Sequence, residues 1–325
     1  MKFYSLDDTI QDIFIQQIVE REREMFFYSI YCKKVQSDLY FPQLASIDGV
    51  TQGECDVTIE AGQISSELLH KAEEKKYEFG EECSWLVNST CFLVIEKGKK
   101  ITYCMMDGGN LSYLRTYILG WGLSMLALQL GEMAIHCSSV ADKNGAVLIC
   151  GESGSGKSTL TLAFLQNGWK FMTDDMALAE VQESKRIIIK PGFPYQKLCR
   201  DALSQQEISS DKVIYIDEKK DKYLVPCKAK FEENPMQARA IFILTISKTS
   251  SIRLINLQGM QKFYGVANNL FLRKLLGDTK YTSEIGGKCL ELAAGVPIYV
   301  IERPDGVDTQ EQVWDTVCST LRGNP

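Results

Sequence analysis

The chain has 325 residues, enough for two domains and a large buried core. Thirty-six lysines and arginines against 42 aspartates and glutamates leave a net charge of −6, which gives no pull towards nucleic acid or an acidic membrane surface. Eleven cysteines without a CxxC pair, and only His70 and His136, argue against a zinc site.

The opening Met1-Lys-Phe-Tyr-Ser-Leu-Asp-Asp8 has no signal-peptide h-region, and an odd cysteine count suits a reducing compartment. The expectation is a cytoplasmic protein. Asp7 to Glu24 reads as a helix, with Ile10, Ile13, Phe14 and Ile18 on one face and Asp8 as cap. Residues 25–105 then turn β-rich: Met25 to Tyr31, Cys55 to Ile59, Ser89 to Ile95 and Ile101 to Cys104 are apolar runs between turn signals such as Gly98-Lys-Lys. His70, in the polar run Glu67 to Glu82, reads as a solvated surface residue. Tyr113 to Leu130 returns to helix; its apolar part, Ile118 to Leu130, is too short to span a bilayer, so no membrane partner is expected.

Met133 to Val140 and Gly145 to Cys150 flank Asn144-Gly145, a strong hairpin signal. The second of these strands runs into Gly151-Glu-Ser-Gly-Ser-Gly-Lys157-Ser158, which fits the phosphate-loop template GxxxxGK[ST] at every fixed position. Glycines let backbone N–H groups close around a polyphosphate, Lys157 supplies a point charge, and the Ser158 hydroxyl can ligate Mg²⁺. Lys157 to Asn167 follows as a helix with Leu160, Ala163 and Phe164 at helical spacing, and Gly168 stops it. The helix start adds its partial positive charge to the anion site. Gly151, Glu152, Ser153, Gly154, Ser155, Gly156, Lys157, Ser158 and Thr159 are thus the candidate ATP-binding residues.

Trp169 to Asp175 reads as a strand ending in two carboxylates, which places Asp174 and Asp175 at the carboxyl edge of a strand beside the loop. Two adjacent acids there can divide the labour, one holding Mg²⁺ with Ser158 and the other taking a proton from an attacking hydroxyl. His136 is either a core histidine satisfied by backbone or a residue facing the phosphate site. Met176 to Val181, Arg186 to Lys190, Ile241 to Ile246 and Ile298 to Ile301 continue as strands. Asp308 to Leu321 closes as a helix capped by Asp308. Arg200, Arg239, Arg253 and Arg273 are candidate cations for transition-state charge, with none preferred. The expected fold is α/β.

His136, the glycine loop and Gly168-Trp-Lys-Phe-Met-Thr-Asp174-Asp175, in this order and spacing, resemble the HPr serine kinase/phosphorylase family. Tyr28 to Ser37 with Phe41-Pro42, Cys55 to Ile59, Pro191 to Leu203 and Val296 to Pro304 resemble other segments of HPr-kinase-related proteins more loosely. The resemblance implies a P-loop core of the type shared with ATP-dependent phosphoenolpyruvate carboxykinase in residues 111–325, and a small N-terminal α+β module in residues 1–110. It implies transfer of the γ-phosphoryl group of ATP to a serine hydroxyl. Lys157 would bind phosphate, Ser158 and Asp175 the metal, Asp174 would be the base, and His136 would touch phosphate. Relatives commonly form hexamers, so a homo-oligomer is implied too. HPr kinases proper carry a Glu-Ile/Val-Arg-Gly-Leu-Gly stretch after the acids, whereas Lys190 to Leu203 holds no such motif. That argues against HPr as acceptor, and the chain resembles the branch of peptide-tailoring and free-serine kinases better. The leading expectation is a Mg²⁺-dependent kinase acting on a peptide or protein serine. The alternatives are a free-serine kinase and a nucleotide-binding regulator without turnover.

Overall fold

A computed structural model describes residues 24–200, 214–217, 222–273 and 283–323. The helix expected over residues 7–24 lies outside them except for Glu24. The chain is a mixed α/β fold whose strands form mixed sheets.

The first sheet holds β1 (Phe26–Ile30), β2 (Lys33–Ser37), β3 (Ala45–Ser46), β4 (Val57–Ala61), β5 (Tyr77–Glu78), β6 (Cys83–Val87), β7 (Cys91–Glu96) and β8 (Lys100–Met105). Its order is β3-β1-β2-β4-β8-β7-β6-β5, with β4 parallel to both β2 and β8 and the remaining pairs antiparallel. Tyr31 and Cys32, at φ 51° and 59°, form the two-residue turn that joins β1 to β2. Both central residues at positive φ match the twist of a tight hairpin. The run Glu67 to Glu82 contains a helix, α1 (Ser66–Glu74), that its polar sequence conceals. Ser65 caps it by accepting from Leu68 N, and a thin stripe of Leu68 and Ala72 packs on Trp85 and Phe92. His70 is solvent-exposed on this helix, as expected.

Next come α2 (Leu111–Tyr117), a π turn over Ile118–Gly122, and α3 (Leu123–Gln129). Their apolar faces join Leu93, Ile95 and Ile101 of the first sheet, Leu178 of the second, and Met176 just before that strand in one core. Among the described residues no helix is long and apolar enough to cross a membrane.

The second sheet carries β9 (Met133–Ile135), β10 (Cys137–Asp142), β11 (Gly145–Gly151), β12 (Lys170–Thr173), β13 (Ala177–Val181) and β14 (Ile187–Lys190). The helix α4 (Lys157–Gln166) lies between β11 and β12 in the chain. A separate three-stranded sheet, β15 (Tyr195–Cys199), β16 (Ile214–Asp217) and β17 (Lys222–Pro226), follows. The second sheet then resumes with β18 (Met236–Ser247), β19 (Arg253–Asn256), and, after α5 (Met260–Ala267) and α6 (Ser283–Gly295), β20 (Ile298–Pro304). The last helix is α7 (Gln310–Leu321). It starts at Gln310 with Thr309 at the cap position, not at Asp308, although the Asp308 carboxylate still accepts the Gln310 N–H at 3.0 Å.

β11 is buried throughout, and its two faces sort by the period of two. Ala146, Leu148 and Cys150 face Val266 and Leu292 of α5 and α6; Val147 and Ile149 face Leu160 and Phe164 of α4 and Val313 of α7. β11, β18 and β20 run parallel, Gly151 level with Leu244 and Leu244 level with Ile301. β12 does not lie beside β11: β10 stands between them, antiparallel to both. Two antiparallel steps restore the direction, so β12 and β11 end at the same edge of the sheet, about 10 Å apart at two strand spacings.

Glu232 secures β12 from outside. Its backbone N–H donates to Phe171 O at 2.8 Å, and its carboxylate pairs with Lys170 Nζ at 2.9 Å. Lys170, together with Asn234, holds the Glu232 carboxyl below the usual range. A depressed folded-state value stabilises the protein above the unfolded glutamate value of about 4.3, and the stabilisation is lost as pH falls through the folded value. Glu232→Gln is therefore expected to melt below wild type at neutral pH, with the two Tm values converging in acid. A gap that stayed constant across a pH series of melts would assign the effect to packing.

Candidate phosphate and acid site

The glycine loop folds as its sequence requires. Gly151 has φ +136° and Gly156, which caps α4, has φ +104°. A Cβ at Gly151 would overlap Leu244 O and stand 2.6 Å from Ser155 Oγ, so position 151 admits only glycine on both conformational and steric grounds. Glu152, Ser153 and Gly154 are exposed at the tip. Ser155 is 3% exposed, and its Oγ has no hydrogen-bond partner among the described residues. A hydroxyl buried without a partner is unfavourable, and in a loop at the positive end of a helix it suits an anion. Lys157 Nζ donates to Gly151 O at 2.6 Å and Glu152 O at 3.0 Å, which holds its ammonium against the loop. Ser158 and Thr159 lie half-buried in the first turn of α4.

Arg303, at the end of β20, braces the loop from behind. Its Nε donates to Ser155 O at 2.9 Å and its Nη2 to Gly154 O at 3.1 Å. Removing both charge-assisted bonds with Arg303→Ala is expected to weaken ATP binding by roughly tenfold, since such bonds are each worth about 1.5–3 kcal/mol at most and part of the loss is recovered by water. Titration with a fluorescent nucleotide measures it; an unchanged affinity would show that the loop holds its shape without the brace.

The acids gather at the same edge. Asp174 Oδ1 accepts from the hydroxyl of Ser138, a fully buried residue of β10, and Oδ2 accepts from Lys197 N at 2.7 Å. Asp175 sits at φ +71°, a left-handed conformation that aspartate tolerates better than most residues, and its Oδ2 pairs with Lys197 Nζ at 2.6 Å. Lys197 therefore engages both acids, one through its backbone and one through its ammonium. The preceding residue, Gln196, donates from Nε2 to Ser158 O at 3.3 Å. Two consecutive residues of β15 thus tie the helix that carries Ser158 to the acid pair.

His136 is not within a strand but at the corner between β9 and β10. Its backbone N–H donates to Asn269 O at 2.7 Å. Its Nδ1 lies 2.9 Å from Asp175 O and 3.7 Å from Asp175 Oδ1. A carbonyl can only accept, so Nδ1 carries a proton and donates it to Asp175 O. The imidazole is placed on Asp175. Tyr31, from the first sheet, reaches into the same turn and donates its hydroxyl to Met176 O at 2.9 Å; burial raises its pKa and keeps the proton on. Beneath the loop, Cys137 and Cys150 face each other on β10 and β11, and burial pushes the Cys137 thiol well above its ordinary range, which leaves it unreactive.

Loop, Ser158 and acids together suit a nucleotide triphosphate with a divalent metal. No three His, Cys, Asp or Glu side chains converge as a metal site among the described residues. The metal's shell would need phosphate oxygens beside the Ser158 hydroxyl and one acid, as in magnesium–nucleotide sites. Sequence reasoning missed Ser138, Gln196, Lys197, Tyr31 and Arg303. Of its four candidate arginines, Arg239 is bonded to Asp142 and Leu321 O, Arg253 to Glu302, and Arg200 to the Tyr223 hydroxyl.

No protein-family model matches the chain, and no curated protein matches it. Among solved structures it is similar to the Hpr(Ser) kinase/phosphatase from Coxiella burnetii, at 14% identity and a TM-score of 0.30, over 58% of this chain and 95% of that one. At that identity and TM-score the likeness is distant, and the chemistry of the site stands on its own residues.

Proposed function

We propose that the chain is an ATP- and Mg²⁺-dependent phosphotransferase with a P-loop, HPr-kinase-like core in residues 111–325 and an N-terminal α+β module in residues 1–110. Its acceptor is a serine hydroxyl of a peptide or protein other than HPr. The observation that supports this reading is the junction made by β15. Gln196 holds the helix of Ser158, and Lys197 holds both Asp174 and Asp175, so a phosphate-binding loop and an acid pair share one edge.

Ser158 and Asp175 are the residues that would hold magnesium, which when bound supplies positive charge to the phosphate oxygens. Lys157 and the start of α4 hold the negative charge of the phosphates. Asp174 takes the proton of the serine hydroxyl as its Oγ–H bond breaks and the Oγ–phosphorus bond forms. The bond from the γ-phosphorus to its bridging oxygen breaks in the same transfer, and ADP departs with that electron pair. His136, donating to Asp175 O, fixes the turn that presents both carboxylates.

The test is incubation of the purified chain with Mg-ATP and a serine-peptide library, alongside free L-serine, read by mass spectrometry. Phosphoserine in peptides with matching ADP release supports the proposal. Phosphorylation of free serine alone would make the chain a small-molecule kinase. Tight ATP binding with no transfer to any acceptor would make it a nucleotide-dependent regulator.

A further inference from the structure

A narrow pocket of about 20 Å³, open to solvent at its mouth, lies beside the acid pair, between Asp174, Asp175 and Lys197 on one side and Tyr31, Gln43 and Thr116 on the other. Gln43 is 4% exposed, and its Oε1 has no hydrogen-bond partner among the described residues. The other polar groups of that wall are engaged: Tyr31 Oη donates to Met176 O, and Thr116 Oγ1 to Ser112 O. The turn that carries Gln43 is fixed independently of its side chain. Phe41 N donates to the buried Tyr28 hydroxyl at 2.8 Å, and Leu44 N to Phe41 O at 3.1 Å. A buried amide oxygen without a donor is unfavourable and rare, and its placement in a pocket beside two carboxylates calls for a ligand that brings the donor.

We infer that this pocket is the acceptor subsite, and that Gln43 reads the backbone N–H of a chain-embedded serine whose hydroxyl points at Asp174. This rests on the phosphotransferase reading for its purpose, though not for the binding it describes. Apolar Leu119, Met176 and Phe193 in the lining suit the aliphatic surface of a peptide. The charges alone do not separate free from chain-embedded serine: beside two carboxylates and a Lys197 ammonium already paired with Asp175, an α-carboxylate is repelled but an α-ammonium is attracted. A capped serine brings an N–H donor and no second charge.

The test is titration of the full chain, saturated with Mg-ADP, with N-acetyl-L-serine methylamide, followed by NMR or calorimetry. Wild type is expected to bind this probe. Gln43→Leu is expected to weaken it about tenfold with Mg-ADP affinity unchanged. A ligand-side change avoids any folding defect: N-acetyl-N-methyl-L-serine methylamide, lacking the N–H, should bind wild type about tenfold more weakly and lose nothing further in Gln43→Leu. No binding of the capped serine, equal binding by wild type and Gln43→Leu, or equal binding of the N–H and N-methyl probes would overturn the assignment. Phosphoryl transfer is not part of the readout. A chain that binds the probe through Gln43 and transfers nothing would keep the subsite and lose the kinase.

Discussion

Asp174→Asn is expected to slow phosphoryl transfer by about 10²–10⁴-fold, the range typical of a positioned general base. Nucleotide affinity should change little. The substitution is informative because the surroundings can survive it: the asparagine oxygen can accept from Lys197 N, and its amide can donate to the Ser138 hydroxyl oxygen. What is lost is the ability to take a proton. Turnover at saturating Mg-ATP and peptide, with the affinity for Mg-ADP measured beside it, separates the two effects. Transfer at the wild-type rate would remove Asp174 from the role of base.

Lys157→Met should act on an earlier step as well. Methionine matches the length and apolar stem of lysine but brings no charge, so the loop loses the donor to Gly151 O and Glu152 O along with the cation for the phosphates. The loop's shape should persist, since the positive-φ glycines and the two bonds from Arg303 remain. The expected result is a fall in transfer of about 10²–10³-fold, comparable to removal of one preorganised donor to developing charge, together with weaker ATP binding. Nucleotide titration and single-turnover transfer read the two parts. A variant that binds and transfers normally would show that the loop holds something other than a polyphosphate.

The glycine loop, the helix behind it and the hairpin before it were legible because each is written in adjacent residues: a buried apolar strand, glycines at positive-φ positions, helical spacing from Lys157, and Gly168 as stop. The position of the acids was legible only in part. Local pattern placed Asp174 and Asp175 at a strand end, but nothing in it says that β10 intervenes between that strand and the loop strand. Antiparallel return through a third strand is a choice of register made by the whole sheet. For the same reason nothing in the sequence singled out Ser138 within Met133 to Val140, or Gln196 and Lys197 within Pro191 to Leu203. Arg303 carried one usable signal. It closes the strand Ile298 to Pro304, and parallel strands of an α/β sheet deliver their last residues to one ligand-binding edge. Gln43 carried none, because its burial comes from a turn held by Tyr28 and by the packing of the first sheet on α2.

Domain limits, magnesium ligands and acceptor all depend on one spatial claim, that phosphates held by Lys157 come within reach of the side chains at 174 and 175. A crystal structure with Mg²⁺ and a non-hydrolysable ATP analogue tests it most directly. The predicted result is a triphosphate lying along the loop from Gly151 to Ser158, with its terminal phosphate next to Asp174, a metal shared by the Ser158 hydroxyl and Asp175, and the Lys197 ammonium drawn off Asp175. A nucleotide whose phosphates leave the loop in another direction, with Asp174 still closed on Ser138 and Asp175 still paired to Lys197, would contradict it.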